Sequence, residues 1–226
     1  MKTQKRKKLS ILGCGWVGKA VDTKLSSTYE VVCLSKDIEK NAKNRAYTTD
    51  ILLIAIPPRG EYIEVLKKTL ELLPTHTQVV HLSSISFYDK KPLVVEAELL
   101  VQKFANPWVI LRIGGLMGYN RVAGKYSAGE SVAFDGNTNY VHRDDVVGVI
   151  ERVIELKVIN EIFDVVAPQQ SSKKVVYAQN AQQFGFEESY FEGGFREGKR
   201  LSSAKVCDGL GYQFIYEDVL EFWKEE

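Results

Sequence analysis

Leu9-Ser10-Ile11-Leu12-Gly13-Cys14-Gly15-Trp16-Val17-Gly18 is the stretch that decides how this chain folds. A short apolar run ends in G-x-G-x-x-G, and the residues after it, Lys19 to Ser26, suit a helix. In such a strand–turn–helix each glycine has a task. Gly13 permits the tight turn, Gly15 removes a side chain where a pyrophosphate must approach, and Gly18 lets helix and strand pack closely. The following helix points its positive end at the phosphates. Cys14, Trp16 and Val17 fill the remaining positions, so the whole stretch reads as a cofactor-binding loop. A purely structural Gly-rich turn is the competing reading. Context favours the dinucleotide, because a second β-branched run, Val31 to Leu34, follows the helix.

Outward from this loop the chain alternates between two periods. Ile51 to Ile56 is a third apolar run, closed by Pro57 and Pro58, and Gln78 to Leu82 and Trp108 to Ile113 follow as further strands. Between them, Glu61 to Leu73 carries Ile63, Leu66, Leu70 and Leu73 at helical spacing, and Val94 to Phe104 is a second helical stretch. Apolar strands alternating with amphipathic helices predict a doubly wound α/β fold of the Rossmann type, with a parallel sheet covered on both faces. Further on, Gly114 to Asn139 reads as a long irregular connection, Asp144 to Leu156 as a helix and Ile162 to Val166 as a strand. The tail predicts a small α+β lobe with a helix near Val175 to Phe184, an aromatic Gly-rich stretch at Phe184 to Phe195, a segment from Ser202 to Leu210, a strand at Gln213 to Tyr216 and a helix at Asp218 to Lys224. The expected division is a dinucleotide-binding domain over 1–168, with 119–139 contributing to the substrate lobe, and a C-terminal lobe over 169–226.

Composition limits the partners. With 226 residues and 45% hydrophobic content, the chain can bury a sizeable core. Thirty Lys+Arg against 29 Asp+Glu leave a net charge of +1, which gives no electrostatic footprint for nucleic acid or an anionic membrane. No apolar run is long enough to span a bilayer. The basic start, Met1 to Lys8, leads directly into a strand. Three widely spaced cysteines, Cys14, Cys33 and Cys207, sit in no metal-binding spacing and point to a reducing compartment. The expectation is a cytoplasmic protein, a monomer or homodimer without a metal, that binds a small molecule.

The cofactor ribose is read at the end of the second strand. A carboxylate there would bind a free 2′-hydroxyl; this chain has Leu34-Ser35-Lys36, with Asp37 arriving late. A hydroxyl and an ammonium suit a 2′-phosphate, which favours NADP. NAD stands as the alternative, with Asp37 on the ribose.

The chain resembles the extended short-chain dehydrogenase/reductase superfamily, and most of all its atypical branch of NAD-dependent epimerase/dehydratase-like proteins. The resemblance rests on the glycine loop, Ala55-Ile56-Pro57-Pro58, His81-Leu82-Ser83-Ser84-Ile85-Ser86-Phe87-Tyr88, Leu111-Arg112-Ile113-Gly114-Gly115 with Gly118 and Arg121, Asn139 to Asp145, and Leu210-Gly211-Tyr212. It implies that Ala55, Pro57 and Ser83 border the cofactor and that Ser84 falls at the family's catalytic Ser/Thr. It also implies hydride transfer on a hydroxyl- or carbonyl-bearing substrate, with nucleotide-sugars as one class.

The family's Tyr-x-x-x-Lys pair is missing: none of the eleven tyrosines has a lysine four residues later. The family's spacing puts Lys90 and Val94 at those positions, and Val94 carries no charge. A tyrosine without its lysine keeps a pKa of about 10 and is a poor base near neutrality. Tyr88 beside Ser84, or else Lys90, is the substitute proton-transfer group, with an aromatic lid as the other reading of Tyr88, and Ser83 and Ser84 are either catalytic or strand-end caps. Arg112, Arg121 and His142 are candidate substrate contacts; Arg112, at the end of a buried-looking strand, is also expected to ion-pair or hydrogen-bond near the active cleft, while Asp144 or Asp145 is expected to cap a helix. Cys14, at a helix N-terminus where a thiol pKa can fall, is either redox-active or a small residue filling the turn. Tyr190, Phe191 and Phe195 form either a flap or ordinary lobe core. Beside the enzyme stands a second hypothesis, a non-catalytic NAD(P)-binding sensor. A third, a β-hydroxyacid dehydrogenase, lacks the all-helical C-terminal domain it would need.

Overall fold

The computed structural model describes residues 6–35, 37–43 and 45–223. The chain divides into two units, one of residues 1–112 and 147–163, the other of residues 113–146 and 164–226. The division falls at three points of the chain, and residues 113–146, which include the 119–139 segment expected to contribute to the lobe, group with the tail.

The first unit is built on a six-stranded sheet in the order β2 (Glu30–Leu34), β1 (Lys8–Leu12), β3 (Ile51–Ile54), β4 (Gln78–Ser84), β5 (Trp108–Ile113), β9 (Glu161–Val165). The first four run parallel in unbroken register, Ile11 opposite Cys33 on one side and Leu53 on the other. Successive strands leave β1 in opposite directions, which opens a crevice at its C-terminal end, the ligand position of doubly wound sheets. Helices α1 (Trp16–Leu25), α3 (Tyr62–Glu71), α4 (Pro92–Phe104) and α5 (Arg143–Glu155) alternate with the strands. Pro92 opens α4, where its missing N–H costs no hydrogen bond. Leu12, Leu52, Leu66, Ala97, Val101 and Ile110 are among the fully buried residues of one continuous core. The Rossmann-type reading of the sequence is realised.

One helix, α2 (Ile38–Lys43), has no counterpart in the apolar pattern because only Asn41 on it is buried. Asn41 takes the place of a hydrophobic anchor: its amide donates to the Ser35 carbonyl at 2.7 Å, and its oxygen accepts from the Ser35 backbone at 3.3 Å.

The second unit contains elements where an irregular connection was expected. β6 (Gly115–Met117) pairs with β8 (Tyr140–His142), and β7 (Ser131–Asp135) pairs in parallel with β10 (Tyr190–Phe195) from the aromatic stretch. β7 is mostly exposed, so it carries no apolar signature. Tyr190 and Phe195 are exposed and Phe191 is half-buried. α6 (Lys173–Phe184) is capped by Ser172, whose hydroxyl accepts from the Val175 N–H, and ends at Gly185 in the left-handed region. α7 covers Ala204–Leu210. The expected strand at Gln213 to Tyr216 is absent, because the N–H groups of Ile215 and Tyr216 go to the carboxylate of Asp145 instead of a strand partner. The helix expected from Asp218 is reduced to one 3₁₀ turn over Val219–Glu221, and residues 224–226 lie outside the described residues. The core of this unit gathers Val122, Ala123, Tyr140, Val176, Val219 and Phe222.

Among the described residues no helix is long and apolar enough to cross a membrane, and no cluster of three or more metal-ligating side chains is present.

Candidate functional site

The glycine loop shows the division of labour its sequence predicts. Gly13 has φ +105°, and a side chain there would strike the Ala55 carbonyl and the Ile56 amide at 2.7–2.8 Å. The Ala55 N–H donates to the Leu12 carbonyl at 2.8 Å, which fixes the end of β3 against the loop. A side chain at Gly18 would collide with the Gly13 carbonyl and lie 3.1 Å from Ile11. At Gly15 nothing stands within 4 Å of where a Cβ would be. Two glycines thus serve packing, and the third faces open space. Gly15 is also the N-cap of α1, with no side-chain cap, and the first helical turn carries no acidic residue. An uncapped helix N-terminus free of acidic side chains suits an anionic phosphate. The residues present fit a dinucleotide.

At the end of β2, Ser35 is exposed and its backbone is pinned by buried Asn41. Its hydroxyl accepts from the Asp37 N–H at 3.2 Å. Asp37, the rival ribose ligand, accepts from the Lys40 N–H at 2.9 Å and so caps α2. Lys36 lies outside the described residues. Pro57 is exposed beyond β3.

Cys14 and Cys33 are joined by a disulfide, with their Cα atoms 5.7 Å apart. The reading of Cys14 as redox-active or as a small residue filling the turn did not include this bond. A separation of 19 residues in sequence is closed because β1 and β2 lie side by side. Cys207 is the free thiol, its pKa pushed up by burial and then by the charges of Asp208 and Glu217.

The segment after β4 forms a second cluster. The Ser84 hydroxyl accepts from the Ser86 N–H at 3.2 Å and caps the 3₁₀ turn Ile85–Phe87. Ser83 donates to Glu98 at 2.6 Å. Glu98, on α4, is buried and takes Arg112 through Nε at 3.0 Å and Nη2 at 2.8 Å. The other arm of the guanidinium, Nη1, donates to the Tyr88 hydroxyl oxygen at 3.1 Å, and its carbon lies 3.6 Å from the centre of the Phe87 ring. Burial works against the Arg112 charge, but the hydrogen bonds to Glu98 and Tyr88 prevail and hold its pKa above the ordinary value. Arg112 is therefore a buried member of this network. The sequence reading expected Arg112 to ion-pair or hydrogen-bond near the cleft, which the structure bears out, but it did not identify Glu98 as the partner, since its apolar helix position offered no signal. Beside the network a cavity of about 630 Å³ is lined by Phe87, Tyr88, Lys90, Pro92, Val95, Glu96 and Leu99; it shares no residue with the glycine loop.

In the second unit, His142 is buried, its ring 3.8 Å from that of Tyr216 and 5.3 Å from that of Tyr119. Burial lowers its pKa to about 4, so the ring is neutral, and its Nδ1 accepts from the Asp144 N–H at 3.2 Å. His142 thus caps α5, the role expected of Asp144 or Asp145. Asp144 binds Tyr119 and Arg143, and Asp145 binds Tyr212 along with Ile215 and Tyr216. Arg121 is exposed in a tight turn closed by bonds between its backbone and Gly118. The ring stacking leaves His142 a packing and capping side chain.

The sheet order and the glycine cradle define a chain of the Rossmann-type fold. No family model matches it. Protein YeeZ of Escherichia coli K12 is 24% identical over 276 aligned positions, covering 95% of this chain and 98% of YeeZ. Among solved structures, MoeE5 in complex with UDP-glucose and NAD superposes with a TM-score of 0.73 at 15% identity, covering 95% of this chain and 96% of MoeE5. The human epimerase family protein SDR39U1 with NADPH gives 0.71 at 12% identity, over 95% and 97% of the two chains.

Proposed function

We propose that this protein is an NADP-preferring oxidoreductase or epimerase-like enzyme of the atypical short-chain dehydrogenase/reductase type, acting on a small hydroxyl- or carbonyl-bearing substrate, with nucleotide-sugars as the leading class. One observation carries the reading: Gly15 opens onto free space at an uncapped helix N-terminus, while Gly13 and Gly18 are consumed by packing. Gly13 to Gly18 would hold the pyrophosphate, Ala55 and Pro57 the rim, and Ser35 with Lys36 the 2′-phosphate. The engagement of Asp37 in capping α2 supports NADP over NAD. The bound nicotinamide would supply the hydride donor or acceptor.

Ser84 and Tyr88 are the proposed reacting side chains. Arg112 stands to Tyr88 as the lysine does in the resembled family. It donates to the phenolic oxygen at 3.1 Å, which orients the phenol beside Ser84. Arg112 acts through Tyr88 and is a positioning residue. The second reading, a non-catalytic sensor, draws support from the Ser84 hydroxyl being used as a cap.

Titration with NADPH and NADH, followed through the fluorescence of Trp16, tests the proposal. Micromolar NADPH binding, with NADH weaker, is the expected result. Tighter NADH binding overturns the 2′-phosphate assignment, and failure of both to bind overturns the function. Hydride exchange with a panel of nucleotide-sugars then separates enzyme from sensor.

A further inference from the structure

We propose that the Cys14–Cys33 pair is a redox-reversible brace on the dinucleotide loop, and that closing it raises affinity for the cofactor. The inference rests on the proposed cofactor site and adds its control. Cys14 lies between Gly13 and Gly15, on the part of the loop that would meet the pyrophosphate. Cys33 is the penultimate residue of β2, two before Ser35, on the part that would meet the ribose phosphate. The bond therefore ties together the two segments that one ligand must engage at once.

Four observations make the brace reversible and consequential. The β1–β2 ladder pairs Ile11 with Cys33 and Leu12 with Leu34, so the sheet keeps the two cysteines adjacent whether or not they are bonded. Their Cα separation of 5.7 Å lies within the ordinary disulfide range, so closure needs no strand movement. Cys33 is exposed on the edge strand and open to small reagents. At Gly15, meanwhile, no heavy atom stands within 4 Å of where a Cβ would be, so no side-chain packing fixes this one residue of the loop. A glycine-flanked turn loses more freedom on ligand binding than other segments, and a cross-link that removes this freedom beforehand favours the bound form.

The oxidant is a low-molecular-weight disulfide. The Cys33 thiolate attacks one of its sulfurs and expels one thiol. The Cys14 thiolate then attacks the Cys33 sulfur of the mixed disulfide and expels the second. Two protein thiols are oxidised, one small disulfide is reduced to two thiols, and the protons from Cys14 and Cys33 end on the expelled thiolates.

The test compares NADPH titrations of the full chain treated with oxidised glutathione and with dithiothreitol, alongside a count of alkylatable thiols in denaturant. One thiol, Cys207, is expected in the oxidised form and three in the reduced form. Oxidised protein should bind NADPH about fivefold more tightly than reduced protein. Cys33→Ser should bind at the reduced level under both treatments, and Cys207→Ser should keep the full response. NADPH binding that ignores redox state, or that weakens on oxidation, overturns the brace while leaving the cofactor reading intact. Absence of binding in both states overturns the two together.

Discussion

Arg112 reaches Glu98 with one edge of its guanidinium and the Tyr88 hydroxyl with the other, at 2.8 and 3.1 Å. Its side chain and that of Glu98 are 10% and 2% exposed, so neither charge is compensated by water. Removing Glu98 alone strands a buried cation, and Glu98→Ala should cost about 3–5 kcal/mol in urea unfolding. Replacing both partners by apolar residues, Glu98→Leu with Arg112→Met, should cost less than the single change. A double variant that loses as much as the two singles summed would show that the pair is not a unit.

The glycine loop separates folding from binding. Gly15→Ala adds a methyl group to open space at a φ of −81°, so stability should change by about 0.5 kcal/mol or less while NADPH affinity falls at least roughly tenfold. Gly18→Ala forces a methyl group onto the Gly13 carbonyl and should cost about 1–3 kcal/mol of stability. Thermal melting and titration of the same two variants distinguish these outcomes.

Two buried histidines set an acid limit. His81 and His142 both have pKa values lowered to about 4 by burial, against about 6.5 in the unfolded chain. Between these values the unfolded chain takes up protons that the folded chain refuses. Stability from this source is therefore complete above pH 6.5 and declines as pH falls toward 4, by about 2–3 kcal/mol per histidine. Ring-proton NMR should show neither ring titrating above about pH 5. A midpoint near pH 6.5 for either ring overturns the assignment.

Asp145 holds the C-terminal segment by its backbone. It is fully buried and accepts from Ile215 N–H at 2.6 Å, Tyr216 N–H at 3.1 Å and Tyr212 hydroxyl at 3.0 Å. Asp145→Ala should cost about 3 kcal/mol by leaving these donors unpaired, with amide exchange accelerated first at positions 215 and 216. Unchanged protection at those amides would refute this role.

Much of this was legible in the residues. The runs at 9–12, 51–54 and 108–113 are buried on both faces and read as near-continuous apolar strands, while the glycine spacing assigns loop geometry by itself. The parts that were hidden share a cause. α2 is anchored by an asparagine, β7 is largely exposed, and the segment 213–216 is held by a side-chain carboxylate from distant sequence, so none leaves a period in the hydrophobic pattern. The same limit concealed the role of Glu98 and the pairing of the cysteines, which depend on neighbours brought together in the fold.

The interleaving of the two units governs how this chain can be taken apart. Val122, Ala123 and Tyr140 precede residue 168, yet they share a core with Val176, Val219 and Phe222, which follow it. A fragment ending at 168 would carry the first group without its partners and would present that apolar surface to solvent. The dinucleotide half is thus not a detachable module. A truncation at residue 168 should therefore yield an aggregating product.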